Sequence, residues 1–251
     1  MPTRDEIVRF AADGGQIPGT LVRPAATSPA VLFVHGWGGN QEQYLSRARA
    51  IAALGCVCLT FNLRGNALTD PDYETVTREQ NLRDIIAAYE LLASRPETDA
   101  RAIGVVASSY GGYLAAILTS LRPVKWLTLR APALYKDEDW DLPKRRLNRQ
   151  ELAAYRQTAI AAKDNKALAA CAKFEGDALI VECEHDDTVP RPTIANYRAA
   201  FEKAHSLTYR IIEGADHALS SEQSQEAYTA ILVNWASEMV AGTHETTTAK
   251  K

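Results

Sequence analysis

The most constraining feature of the chain is a short motif near its middle, VVASSYGG at positions 105–112. An apolar run leads into a serine and then into residues suited to a helix, which is typical of a nucleophile elbow. Such a tight turn accepts only small side chains two positions before and after the nucleophile. Ala107 and Gly111 meet that requirement around Ser109, whereas the neighbours of Ser108 are too large. Ser109 is therefore the predicted nucleophile.

The same pattern also occurs where a strand ends in an ordinary polar turn, so the rest of the chain has to supply further evidence. A serine hydroxyl becomes a good nucleophile only beside a base that removes its proton. The sequence must therefore also contain a histidine, an acid that orients it, and donors for an oxyanion.

Segments of strand and helix character alternate along the 251 residues. This alternation predicts an α/β fold, with a mostly parallel central sheet covered by helices on both faces. A hairpin is expected first, from 6–11 and 16–22. The predicted strands that follow are 30–35, 57–61, 102–107, 126–130, 178–183 and 207–212. The predicted helices are 42–54, 78–93, 110–121, 191–203 and 221–240.

The alternation breaks over 132–174, where charged residues precede a predicted helix at 150–162. We interpret this segment as a short cap insertion within a single domain that covers 1–241. The small and polar residues 242–251 predict a flexible C-terminal tail.

Composition excludes several functional classes. The net charge of −3 and the pI near 6.0 give no nucleic-acid signal, and the basic run Lys144-Arg145-Arg146 is interpreted as a solvated face. The N-terminus lacks an apolar signal region, and no stretch is apolar enough to span a membrane, so we expect a cytoplasmic protein. The four cysteines are expected to be buried thiols.

Three further motifs each follow a predicted strand: HGWGG at 35–39, DDTVP at 186–190 and GADH at 214–217. The carboxyl ends of parallel strands meet at one edge of a sheet, where ligands bind in such folds. The motifs are therefore expected to share a crevice with Ser109, giving the order Ser109, Asp186, His217.

This order and these four motifs resemble the α/β-hydrolase family, with likeness to dienelactone-hydrolase-like and prolyl-oligopeptidase-like catalytic domains. The resemblance implies that His217 is the base for Ser109 and that Asp186 orients His217. It also implies that the backbone N–H groups of Trp37 and Tyr110 form the oxyanion hole. Asp187 remains an alternative acid, although the Val-Pro that follows favours Asp186.

Aromatic and apolar side chains near these motifs are candidates for the substrate pocket. They are Trp37, Tyr110, Tyr113, Tyr135, Trp140 and Leu219. Basic residues are candidates for binding a charged group such as a peptide terminus. They are Arg64, Arg130, Arg145 and Arg146.

The resemblance implies a carboxylesterase-like serine hydrolase that cleaves small to medium carboxylic esters through an acyl-enzyme. The expected partner is a small-molecule ester, and no metal or organic cofactor is implied. A small peptidase or amidase with the same triad is one alternative. A binding protein that has kept the fold but lost turnover is another.

Overall fold

A computed structural model describes residues 4–23, 28–67 and 70–248, without the side chains of 243–248. One eight-stranded sheet has the order β1-β2-β4-β3-β5-β6-β7-β8. The strands are β1 (Arg4–Ala12), β2 (Gly15–Arg23), β3 (Ser28–Val34), β4 (Val57–Phe61), β5 (Thr98–Ser108), β6 (Trp126–Arg130), β7 (Asp177–Cys183) and β8 (Ser206–Ile212). The helices are α1 (Glu42–Ala53), α2 (Arg78–Ala93), α3 (Ser109–Leu118), α4 (Arg149–Arg156), α5 (Lys166–Cys171), α6 (Arg191–Ala200) and α7 (Glu222–Thr248).

The predicted hairpin forms the antiparallel edge of this sheet. β1 pairs with β2, and the turn residues Asp13 and Gly14 have φ angles of 47° and 77°. Positive φ at both central positions is the geometry that matches the twist of a two-residue hairpin. β2 then pairs antiparallel with β4, and every later pairing is parallel.

The central strands are apolar throughout because both faces of the sheet are covered. In β3, Leu32 and Val34 lie in one core cluster, whereas Val31 and Phe33 lie in the other. The first cluster includes residues of α2, α3 and α6, and the second includes residues of α1 and α7. The predicted fold class is confirmed: this is the layered arrangement of the α/β-hydrolase fold.

The segment between β6 and β7 differs from the predicted single helix at 150–162. It contains 3₁₀ turns at Lys144–Arg146 and Ala162–Asp164, and the helices α4 and α5. α4 ends early because the Asn196 side chain accepts from Ile160 N at 3.1 Å and donates to Thr158 O at 2.9 Å. Those two bonds hold the backbone after α4 outside the helix.

The last helix is longer than the sequence indicated. α7 continues to Thr248, through part of the predicted tail, and 249–251 lie outside the described residues. Gly242 lowers helix stability by only about 1 kcal/mol, and no proline follows it to end the helix. Within the described ranges, no helix is long and apolar enough to cross a membrane.

α2 begins at a capping box formed by Thr77 and Gln80. The Thr77 hydroxyl accepts from Gln80 N at 3.2 Å, and Gln80 Oε1 accepts from Thr77 N at 2.9 Å. Two N–H groups that have no intrahelical acceptor are thereby satisfied.

Replacing Thr77→Ala removes one of these bonds and should lower the free energy of unfolding by about 1 kcal/mol. Chemical denaturation measures the change. Thr75→Ala is the matched control, because Thr75 is exposed and its hydroxyl makes only a 3.4 Å contact with Asp72 O. An equal loss in both variants would contradict the role of the capping box.

Candidate active site

The elbow joins β5 to α3 at Ser109, which has a φ of 50° in the left-handed region. A non-glycine residue pays a conformational penalty there, and such strain clusters at functional sites. A Cβ at Gly111 would lie 2.4 Å from His35 O, so only glycine permits this approach. Ala107 is fully buried beneath the turn.

The HGWGG turn lies directly beside the elbow. β3 and β5 pair in parallel register with Val34 opposite Ala107, so both strands end at the same level. A Cβ at Gly36 would lie 3.2 Å from Ser109 Cβ, which shows how closely the two turns approach.

His35 supports this turn from the interior. Its Nε2 lies 3.0 Å from Leu63 N, an obligate donor, and its Nδ1 lies 2.8 Å from Gly36 O, an obligate acceptor. The ring is therefore neutral with its proton on Nδ1. Burial lowers the pKa of His35 from 6.5 to about 4, although the bond to Gly36 O acts in the opposite direction.

Three predicted catalytic side chains meet above the sheet. His217 Nε2 lies 3.0 Å from Ser109 Oγ, and His217 Nδ1 lies 2.7 Å from Asp186 Oδ2. The serine comes from the elbow after β5, the acid from the loop after β7 and the histidine from the loop after β8. This geometry allows His217 to accept the serine proton while Asp186 fixes the orientation of the ring.

The loop after β7 orients Asp186 toward the histidine. Asp186 Oδ1 accepts from Thr188 N at 2.9 Å and from Val189 N at 2.7 Å, which leaves Oδ2 for His217. The alternative acid, Asp187, is exposed and instead accepts from the Thr188 hydroxyl at 3.0 Å.

The predicted oxyanion donors lie at the same two turns. Tyr110 is in the first turn of α3, where backbone N–H groups have no acceptor within the helix. Trp37 follows Gly36 in the turn that approaches Ser109. Their N–H groups are therefore candidates for binding a negative oxygen beside Ser109.

Arg130, which the sequence suggests as a candidate for binding a charged group, instead lies buried behind the elbow. Arg130 Nε donates to Ser108 Oγ at 3.1 Å, and Arg130 Nη1 donates to His217 O at 2.8 Å. The Ser108 hydroxyl also bonds to the hydroxyl of Tyr44. Arg130 thus ties the elbow to the backbone of the histidine loop, and Ser108 contributes to this network instead of facing His217.

A cavity of about 520 Å³ opens over Ser109 and His217, a size that suits a small-molecule ligand. Trp37 and Tyr135 line it, as the sequence predicts. The other residues at its wall are Lys144, Arg149, Leu152, Ala153, Arg156, Gln157, Asp187, Thr188 and Pro190.

Four other pocket candidates lie away from this wall. Tyr110 and Tyr113 are fully buried, and the Tyr110 hydroxyl donates to Asn81 Oδ1 at 2.8 Å. Trp140 Nε1 donates to Glu79 at 2.8 Å, and Leu219 packs into the core on the α1 and α7 face. Sequence proximity to the motifs suggested these positions, but the direction of a side chain depends on packing that spacing does not reveal.

The cations at the cavity also differ from those predicted. Arg64 pairs with Asp84, and Arg145 lies over the Tyr73 ring. Lys144, interpreted from the sequence as part of a solvated face, instead lies at the cavity wall with Arg149 and Arg156. The basic run at 144–146 indicates that cations lie in the insertion, but it does not indicate which of these side chains faces the cavity.

A profile of the alpha/beta hydrolase family matches residues 31–231. No curated protein sequence matches the chain significantly. Among solved structures, a dienelactone hydrolase from Anabaena variabilis is similar at 18% identity and a TM-score of 0.67, covering 94% of this chain and 97% of that one. The Pyrococcus horikoshii acylaminoacyl peptidase has 16% identity and a TM-score of 0.71, covering 94% and 41%. Esterase Est22 has 18% identity and a TM-score of 0.65, covering 95% and 80%.

The chain belongs to the alpha/beta hydrolase family. At the identities of these structural neighbours, their likeness shows the fold alone.

The buried His35 predicts a pH-dependent stability. The unfolded chain binds a proton near pH 6.5, whereas folded His35 does so only near pH 4. The free energy of unfolding should therefore fall by about 3 kcal/mol in total as the pH drops from above 6.5 to below 4, from this group alone. Chemical denaturation across this range should show a smaller slope for His35→Gln.

His205→Gln is the control, because the His205 side chain is 78% exposed and immediately precedes β8, at the opposite end of the parallel strands from the elbow. It should keep most of the wild-type slope. If His35→Gln also kept the full slope, protonation of His35 would not be responsible.

Proposed function

We propose that the protein is a serine hydrolase that cleaves carboxylic esters of small to medium size through an acyl-enzyme. The observation that carries the proposal is the continuous path from Ser109 Oγ to His217 Nε2 at 3.0 Å and from His217 Nδ1 to Asp186 at 2.7 Å, at the wall of a cavity. A serine with this base beside it is activated for attack on a carbonyl carbon.

In the first half of the reaction, Ser109 Oγ bonds to the ester carbonyl carbon and His217 Nε2 takes its proton. The N–H groups of Trp37 and Tyr110 stabilise the negative oxygen, and one such donor contributes about 3–4 kcal/mol in comparable sites. The carbon–oxygen bond to the leaving group then breaks, and His217 returns the proton to the departing alcohol.

In the second half, His217 takes a proton from a water molecule that attacks the acyl-enzyme. The bond to Ser109 Oγ breaks, the acid product leaves, and the serine recovers its proton. Throughout, Asp186 stabilises the protonated imidazole, which is why its two bonds from Thr188 N and Val189 N matter.

A peptidase or amidase activity of the same site is the second candidate. The similar acylaminoacyl peptidase fold and the cations at the cavity wall favour it, because a cation can bind the carboxylate of a peptide. Amide cleavage needs the same proton return from His217 to a poorer leaving group. A panel of matched ester and amide substrates separates the two activities.

The first test is covalent labelling with a fluorophosphonate, read by intact mass and peptide mapping. A single adduct on Ser109 is expected, and His217→Ala should prevent it because the serine loses its base. An adduct on another serine would contradict the assignment of the nucleophile. A folded protein without any adduct would favour the binding-protein alternative.

The choice of acid is tested by a pair of matched substitutions. Asp186→Asn should lower kcat by roughly 10³–10⁴-fold, because the amide no longer stabilises the protonated imidazole. Asp187→Asn removes the same charge one residue away and should lower kcat by much less. If the Asp187 substitution were the damaging one, Asp186 would not be the acid.

A further inference from the structure

The cavity over Ser109 carries an unbalanced positive charge. Lys144, Arg149 and Arg156 lie at its wall, and Asp187 is the acidic residue among the lining side chains. In the described part of the chain, none of the three cations forms an ion pair. Several other arginines of the chain do pair with acids, as Arg64 does with Asp84.

The Arg156 side chain is held in a fixed position at this wall. It is only 9% exposed, and its Nε and Nη1 donate to Leu134 O and Thr188 O, both at 3.1 Å. Carbonyl oxygens hold the guanidinium in place, but they do not neutralise its charge. Its position is therefore fixed before any ligand arrives, which is the condition for strong recognition of an anion.

Lys144 is held by aromatic rings. Its Nζ lies 4.8 Å from the centre of the Trp37 ring and 5.5 Å from that of Tyr135. The Arg156 guanidinium lies 5.0 Å from the same Tyr135 ring, so the two cations share one aromatic neighbour. Trp37 also supplies a predicted oxyanion N–H. Lys144 therefore contacts the side chain of a residue whose backbone is predicted to bind the reacting carbonyl.

A third cation contacts Tyr135 from within the protein. Arg78 is fully buried, with its guanidinium 5.4 Å from the Tyr135 ring. Its Nη1 donates to Lys136 O, while Nε and Nη2 have no hydrogen-bond partner among the described residues. It adds a positive potential on the protein side of the cavity wall.

Desolvating a cation is unfavourable unless an opposite charge compensates it. Aromatic rings and carbonyls compensate only in part, and among the described residues that line the cavity Asp187 is one acid against three cations. We propose that the substrate supplies further negative charge: the cavity binds an ester that carries an anionic group, held by Arg156 and Lys144 with Arg149 at the rim. This inference rests on the proposed ester hydrolysis.

The test compares matched charged and neutral esters. One pair places the charge on the acyl side: the p-nitrophenyl monoester of glutaric acid and its methyl ester. The other places it on the leaving group: 4-acetoxybenzoate and its methyl ester. In at least one pair, kcat/KM should favour the anion by roughly tenfold or more, the factor for one charge-assisted hydrogen bond. Added salt should reduce this preference.

Variants show which side chains produce the preference. Lys144→Met with Arg149→Gln should lower the charged-to-neutral ratio of kcat/KM by roughly tenfold. These two are chosen over Arg156, whose bonds to Leu134 O and Thr188 O also support the fold. Arg146→Gln is the matched control: it removes a charge two residues from Lys144, is exposed and lies outside the cavity wall, so the ratio should not change.

A wild-type enzyme that treats both members of each pair alike would overturn the proposal while leaving ester hydrolysis intact. So would a double variant that keeps the full preference. Loss of the preference in the control variant Arg146→Gln would likewise contradict the assignment to the cavity.

Binding to the Ser109→Ala protein provides a readout that does not need catalysis. Calorimetry with glutarate and with inorganic phosphate should detect binding of at least one of these anions. The Lys144 and Arg149 substitutions should weaken that binding. The anion that binds more tightly identifies the kind of anionic group that the cavity prefers. Binding without fluorophosphonate labelling of the wild type would refute the hydrolase proposal but keep the anion site. If the wild type is labelled but binds neither anion and shows no preference for charged esters, the anion site is refuted and the hydrolase proposal is kept.

Discussion

The parallel register between β3 and β5 is the constraint on which the candidate site depends. With Val34 opposite Ala107, both strands end at one level and the turns that follow them come into contact. That contact is close enough to require glycine at Gly111, where a side chain would strike His35 O. The left-handed backbone of Ser109 is tolerated because the surrounding packing leaves this turn no alternative.

A large part of this architecture follows from local sequence. Strand and helix alternation predicts the layered sheet, and β4, β6 and α2 have the predicted bounds. These elements have strong local signals: continuous apolar runs between breaks, and a capping box before α2. The elbow is equally local, because its size rule acts on residues two positions from the serine.

The remainder depends on contacts between distant residues. α4 ends where Asn196 binds the backbone, an interaction across more than thirty positions that no local pattern contains. The same limit applies to the cations. Lys144 and Arg146 stand in one basic run, yet only Lys144 turns onto Trp37. Motif spacing identified the residues that meet above the sheet, but not the side chains that surround them.

The insertion is fastened to the loop of the candidate acid as well as to the sheet. Arg156, the last residue of α4, donates to Thr188 O, and its own carbonyl accepts from the Thr193 hydroxyl of α6 at 3.0 Å. Thr188 in turn donates its N–H to Asp186. Hydrogen bonds therefore connect α4, which forms part of the cavity wall, to the loop that orients the acid. A lineage that reshaped α4 to admit a new substrate would also have to readjust Asp186, which ties the evolution of specificity to that of turnover.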